Sequence, residues 1–343
     1  MYYEGESLVF ENFLLRKKTK SHPLLTDLLG ETEHFKPISD IKERFSGKTV
    51  EGWDETLEAL VDQGILVCEG SNQDLRETQL DSWKWDLPAR YYHFATKDVE
   101  FSTDYKGEWS YFTKLAATDP PPPHYKDYDS EFLALPLPEP LPGKLLEEVL
   151  RNRRTQRWFI PHVISKQIFS QLMFYTWGKL ASVDEGLIST RILRTSPSGG
   201  CRHPIEVYPI INQVEGIPSG IYHYSVRRHG LELVKEGNFI DHVPKLAADQ
   251  PWVRGASVFF IMSAIFPRSM WRYRFARAYR VIQLDAGHLG QTFQLVSTCL
   301  GLDSFITAAL RDSLVESALQ IDGIMESVIY AGAVGRVENP GRL

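Results

Sequence analysis

A block of proline between residues 120 and 142 constrains this chain more than any other feature. The stretches "TDPPPPHYKDYDS" and "LALPLPEPLPG" hold eight of its 20 prolines. Proline has no amide hydrogen and a fixed φ, so neither a continuous helix nor a central strand can run through such a block. The 343 residues are long enough for two cores. They are read as an N-terminal region over 1–97, an extended proline-rich linker over 98–143 lying along the next domain, and a domain over 144–343.

Before the block, "LLTDLLG", "ISDIKERFSG" and "WDETLEALVDQGILVCEGS" carry apolar residues at helical spacing. The last of these reaches Gly64 and then the β-type run Ile65-Leu66-Val67-Cys68. Helices followed by a short hairpin predict a winged-helix-like shape. Such shapes often bind DNA, but a formal net charge of −6 gives this one no basic face for a phosphate backbone. A peptide-engaging or structural use is expected instead, with no nucleic acid as partner. No run of about 18 apolar residues predicts a membrane span, and no signal peptide is apparent. Three widely spaced cysteines suggest no disulfide framework. The cytoplasm is the expected compartment.

After the block, "LLEEVLRNRRTQRWF" and "SKQIFSQLMFYTWGKL" read as helices, "IEVYPIIN" as a strand and "SGIYHYSVRRHGLELV" as a hairpin partner. "RVIQLDAGHLGQTFQLVSTCLG" is a long helix and "ESVIYAGAVGR" a last strand. Helices mixed with antiparallel strands make an α+β domain.

No GxxxxGK[ST] and no strand-linked GxGxxG occurs. In "TSPSGGCRHPIEVY", Cys201 and His203 could form a nucleophile–base pair or part of a metal site. No CxxC, HxxxH or HExxH accompanies them, and a packed cysteine beside a surface histidine is the simpler reading. The cluster "RNRRTQRWF" is more informative. As a helix it would place Arg153 and Arg157 on one face with Thr155 near, which suits a phosphate and a polar chain, although a solvated basic face has the same composition. The Pro-Ser-Gly-Gly turn adds bare backbone that can approach a planar ligand.

The motifs "RRTQRWF", "TSPSGGCRHPIEVY", "SGIYHYSVRRHGLELV", "YRVIQLDAGHLGQTFQLVSTCLGLD" and "ESVIYAGAVGR" stand in the order and spacing of the flavin-dependent nitroreductase superfamily. More narrowly, the chain resembles its SagB-type, McbC-like thiazole/oxazole-forming branch. The resemblance covers about residues 90–337. It implies a nitroreductase-like fold, a central sheet flanked by helices, with bound FMN at the interface of a homodimer. By position, Arg153, Thr155 and Arg157 would hold the phosphate and ribityl chain, and Arg336 would contact the phosphate. Pro197, Ser198, Gly199 and Gly200 would line the isoalloxazine ring. Thr307, Ala308 and Ala309 lie in the loop that lays backbone amides near the flavin.

Two departures stand out. Ala308-Ala309-Leu310 occupies the place of a family Gly-Gly-Phe, and Arg272-Tyr273 the place of a Lys-Tyr pair. Arginine does not release its proton as lysine can, so Tyr273 is the candidate base and Arg272 its electrostatic partner. The expected function is FMN-dependent, two-electron dehydrogenation of a peptide or carrier-bound substrate in natural-product maturation. It is either azoline-to-azole oxidation or oxidation of another amino-acid-derived ring. An NAD(P)H-dependent nitroreductase or quinone reductase for small molecules is the alternative, and a flavin-free scaffold in a modification complex a third reading. No metal site is expected.

Overall fold

The computed structural model describes residues 1–5, 7–21, 24–45, 52–184 and 190–340. They form two compact units, Met1–Glu100 and Phe101–Leu343.

In the first unit, β1 (Tyr2–Glu4), β2 (Ser7–Asn12) and β3 (Lys17–Ser21) form an antiparallel meander in the order β1-β2-β3. Five helices follow: α1 (Leu24–Glu31), α2 (Ile38–Arg44), α3 (Trp53–Asp62), α4 (Asn72–Asp81) and α5 (Leu87–Ala95). Leu25, Leu28, Ile41, Phe45 and Leu57 make their core. The expected helical region is present, but Ile65–Cys68 forms no strand. Gly64 takes φ +71, so the chain turns back on α3, with Gly64 N–H donating to Val61 O (2.8 Å) and Ile65 N–H to Leu60 O (2.8 Å). This Schellman closure uses the amides that a strand would need. The β-structure stands before the helices, where no wing was expected.

In the second unit, α6 (Tyr105–Thr118) lies inside the segment read from sequence as linker. Asp104 caps it through Gly107 N–H (2.9 Å), and it ends before Pro120, so the prolines set its limit rather than prevent it. The proline-rich stretch that follows is built into the unit. Its β4 (Phe132–Ala134) pairs with a sheet strand, Leu135 is buried, and Tyr125, Leu133 and Leu141 pack on the core.

The remaining elements are α7 (Leu146–Asn152), β5 (Phe159–Ile160), α8 (Lys166–Trp177), β6 (Ala181–Asp184), β7 (Thr190–Leu193), β8 (Ile205–Ile211), β9 (Gly220–Ser225), β10 (Gly230–Glu236), α9 (Val243–Leu246), β11 (Val258–Ile265), α10 (Phe266–Met270), α11 (Arg277–Cys299), β12 (Asp303–Thr307), α12 (Asp312–Leu319) and β13 (Glu326–Val337). The main sheet runs β12-β13-β11-β8-β9-β10-β4, with β5 on β13, and all its pairings are antiparallel.

Both faces of this sheet are buried because its central strands are apolar at successive positions, so both alternating sets of side chains meet a core. Val258, Phe260 and Met262 point to one core with Phe169, Trp177, Ile282 and Phe293 of α8 and α11. Phe259 and Ile261 point to the other, with Val243, Val315 and Leu319 of α9 and α12. The result is the expected α+β arrangement, a sheet between helical layers.

Candidate active site

The Pro-Ser-Gly-Gly loop is held from below by α11. Ser198 Oγ donates to Asp285 Oδ2 (2.6 Å), and Gly199 N–H donates to the same carboxylate (3.1 Å to Oδ1). Asp285 is buried, and burial pushes its pKa up against the pull of these two donors. Ser198 Oγ in turn accepts His203 N–H (2.9 Å). Pro197 and Gly200 remain exposed, so the outer side of the loop is open.

The glycines are required by geometry. Gly200 sits at φ +59, and a Cβ there would overlap the Tyr273 hydroxyl. At Gly199 a Cβ would overlap Val281 Cγ1. Thus the structure brings Tyr273, the candidate base, onto the candidate ring-lining loop. The Tyr273 hydroxyl has no hydrogen-bond partner among the described residues. Arg272, its neighbour, points elsewhere: its guanidinium pairs with Glu108 (3.3 Å) and lies 4.7 Å over the Phe112 ring.

Cys201 and His203 precede β8 and have φ +53 and +45, so they do not share a strand face. His203 Nε2 donates to Ile192 O (2.7 Å), and burial, with Arg194 near, pushes its pKa down to about 3. A neutral histidine tied to a carbonyl supports the loop, and its depressed pKa makes it a weak base.

The arginine cluster is arranged differently from its reading as a helix. α7 stops at Asn152; Arg153 is its C-cap with ψ 120, and Thr155 forms a parallel bridge to Ser304 of β12. Residues 153–157 therefore run along the open edge of the sheet, because Thr155 and the Gln156 amide (2.8 Å to Ser304 O) pair with that strand. Arg153 donates to Gln294 Oε1 (3.1 Å). Arg157 is exposed, 5.6 Å over Trp252 and 5.6 Å over Phe305, with no hydrogen bond or ion pair among the described residues. Gln294 Nε2 and Ser304 Oγ are buried without partners. Two guanidinium groups beside two unspent polar groups fit a ligand with several acceptor oxygens, as a phosphate is.

Arg336 lies within β13, and donates to Gly301 O at the base of the same edge. Thr307 ends β12; its hydroxyl accepts Ala309 N–H (3.0 Å) and Gln250 Nε2 (3.1 Å). That amide is therefore committed within the loop. Ala308 and Ala309 are exposed and have no positive φ, so alanine fits where glycine was expected.

These residues form two separate groups. One sits on Asp285 and the other on Gln294, nine residues apart on α11. That spacing is about 13.5 Å along the axis and about half a turn around it. The loop group and the arginine group of one chain thus lie on opposite sides of the same helix.

Sequence reading missed Asp285, although "DAGH" was in view; an acidic residue inside an apolar helix is the signal that could have found it. It also missed Glu206, His223 and Glu232, buried on β8, β9 and β10, and Arg268, buried on α10. His223 donates to Glu206 (2.9 Å) and Glu232 (2.6 Å), and Arg268 pairs with Glu206. Although burial opposes charge, Arg268 and His223 hold Glu206 down to about 2, and the two carboxylates hold His223 above its usual value.

Among known proteins, residues 150–336 match the Nitroreductase family. The chain is 35% identical over 184 residues to the trifolitoxin-processing protein TfxB of Rhizobium leguminosarum bv. trifolii, covering 52% of this chain and 49% of TfxB. It is 29% identical over 136 residues to the microcin B17-processing protein McbC of Escherichia coli, covering 38% of this chain and 50% of McbC. The chain thus spans about half the length of these two relatives. A solved nitroreductase candidate from Anabaena variabilis superposes with a TM-score of 0.54 at 24% identity, over 73% of this chain and 46% of that one. With a family match over more than half its length, on the same sheet and helices that carry the site, the chain belongs to the nitroreductase family.

Proposed function

We propose that this protein is an FMN-dependent oxidoreductase that dehydrogenates a peptide or carrier-bound substrate by two electrons in the maturation of a natural product. The observation that carries this reading is the contact of Tyr273 with Gly200 on a loop clamped by Asp285. A proton acceptor stands where a flat cofactor could lie against bare backbone. The names of TfxB and McbC, which process trifolitoxin and microcin B17, favour a peptide substrate.

In this reading Arg153, Arg157 and Thr155 hold the FMN phosphate, with Arg336 bracing the strand beneath them. Pro197–Gly200 face the ring. When bound, FMN supplies a two-electron acceptor for hydride. The Tyr273 hydroxyl oxygen is the group placed to receive the proton lost from the neighbouring carbon. Arg272 is a positioning residue: its pair with Glu108 fixes the segment that aims Tyr273. Tyr273→Phe should retain FMN and lose turnover.

The two residue groups on opposite sides of α11 favour a homodimer, each FMN held by the arginine edge of one copy and the loop of the other. Mixing two variants tests this. Arg153→Ala/Arg157→Ala and Gly200→Trp should each fail to retain FMN. Their mixed dimer has one intact arginine edge facing one intact loop, and should regain half of the wild-type flavin. No recovery on mixing would place both groups on one chain's own site. Rapid flavin reduction by NAD(P)H together with turnover of small nitroaromatics would favour the nitroreductase alternative.

A further inference from the structure

We propose that the cavity beside Tyr273 is a side-chain pocket that selects a bulky, uncharged residue of a peptide substrate next to the position being oxidised. This inference rests on the function proposed above. The cavity has a volume of about 690 Å³, and its walls include Phe266, Met270, Trp271, Tyr273, Phe275 and Tyr279. Its charged lining groups, Asp119 and Arg274, pair with each other at 3.1 Å. The Trp271 indole N–H is spent on Asp119 O (2.7 Å). A charged side chain entering here would lose water and meet no opposite charge that is not already paired, whereas an aromatic or long aliphatic one would meet rings and thioethers.

The occupant is a peptide because the space is elongated. A second cavity of about 420 Å³ adjoins it, sharing Pro122 and Met325 as common wall. Its walls combine Pro122, Pro123, Ile265 and Ile321 with the charged residues Lys126, Arg268, Asp322 and Glu326. Those charges are matched among themselves and their neighbours: Lys126 with Glu326 (2.5 Å), Arg268 with Glu206, and Asp322 with the amides of residues 324–326 (2.8–3.0 Å). Two adjoining, mainly apolar cavities whose charges are already paired suit an extended chain that places uncharged residues in both. The mouth is open, since Met270, Tyr279 and Met325 are 46%, 43% and 52% exposed. Four consecutive prolines, Pro120–Pro123, stiffen one wall.

The test uses the full chain supplied with FMN and two probes, the acetylated and amidated tripeptides Gly-Trp-Gly and Gly-Asp-Gly. Binding is read by calorimetry, flavin content by absorbance and oligomeric state by gel filtration. The tryptophan peptide is expected to bind at least about tenfold more tightly than the aspartate peptide. Met270→Trp, which fills the mouth from the surface, should weaken the tryptophan peptide by about tenfold with melting temperature and flavin content unchanged. Met325→Trp should do the same from the other side, in case the first variant folds poorly. Equal binding of the two peptides would overturn the proposal, as would indifference to both fillings. A shift of either variant from dimer to monomer would assign the cavity to a second copy of the chain and overturn it as well. Peptide preference without bound flavin would keep the pocket and refute the cofactor; flavin without peptide preference would do the reverse.

Discussion

Replacing Gly200 with alanine probes the contact on which the site is built. Two costs follow from the structure. Gly200 stands at φ +59, where an L-residue with a Cβ loses about 1–2 kcal/mol. The new methyl also falls on the Tyr273 hydroxyl, with Tyr273 Cζ 2.9 Å away, so the ring must shift. Overpacking of this kind costs about 1–3 kcal/mol. Together they predict a loss of about 2–5 kcal/mol for Gly200→Ala. Tyr273→Phe alone should cost less than about 1 kcal/mol, because the hydroxyl has no internal partner. In the double variant the overlapping oxygen is gone, so the backbone cost remains and part of the steric cost disappears. Urea unfolding of the four proteins gives the coupling, expected at about 1 kcal/mol or more in the rescuing direction. Additivity within about 0.5 kcal/mol would show that Tyr273 does not rest on Gly200, and the assignment of Tyr273 to this site would fall.

Asp285→Ala should lower flavin retention and stability together, by about 1.5–3 kcal/mol for each charged hydrogen bond lost, checked by FMN titration and thermal melting; an unchanged FMN affinity would make Asp285 merely structural. Arg157→Ala should weaken FMN binding by about tenfold or more with little change in melting, since Arg157 is exposed and its internal contacts are the two rings. His203 is neutral in the fold with its pKa near 3, below the unfolded value near 6.5. Its contribution is therefore complete above pH 6.5 and is lost as pH falls toward 3, amounting to about 2 kcal/mol by pH 5. His203→Gln should flatten stability over that window, and an unaltered slope would refute its burial as a neutral ring.

The hydrophobic pattern made the sheet and the long helix legible, because apolar runs in the central strands, alternation in the hairpin and the 3.6-residue period of the helix are distinct periods and runs. The hairpin of β9 and β10 and the 23-residue α11 lie where those periods place them. Local composition misled where a tertiary partner decided. "RRTQR" has good helix formers, yet Thr155 pairs with Ser304 because β12 offers an open edge. Ile65–Cys68 looks like a strand, but Gly64 turns its amides onto α3. The proline block hid α6 because a composition count does not resolve where the first proline stands. Of the site, the glycines were visible from their own chemistry. Asp285 was not, since its role depends on a loop 86 residues away. The division of the site across α11 needed the helix itself, since only its turn sets Asp285 and Gln294 on opposite sides.

The most direct measurement is the visible absorbance of the purified chain after incubation with FMN and removal of unbound cofactor. Retained flavin bands with about one FMN per chain, in a species that runs as a dimer, are the predicted result. A colourless protein after the same treatment would contradict the cofactor, the dimeric site and the redox function together.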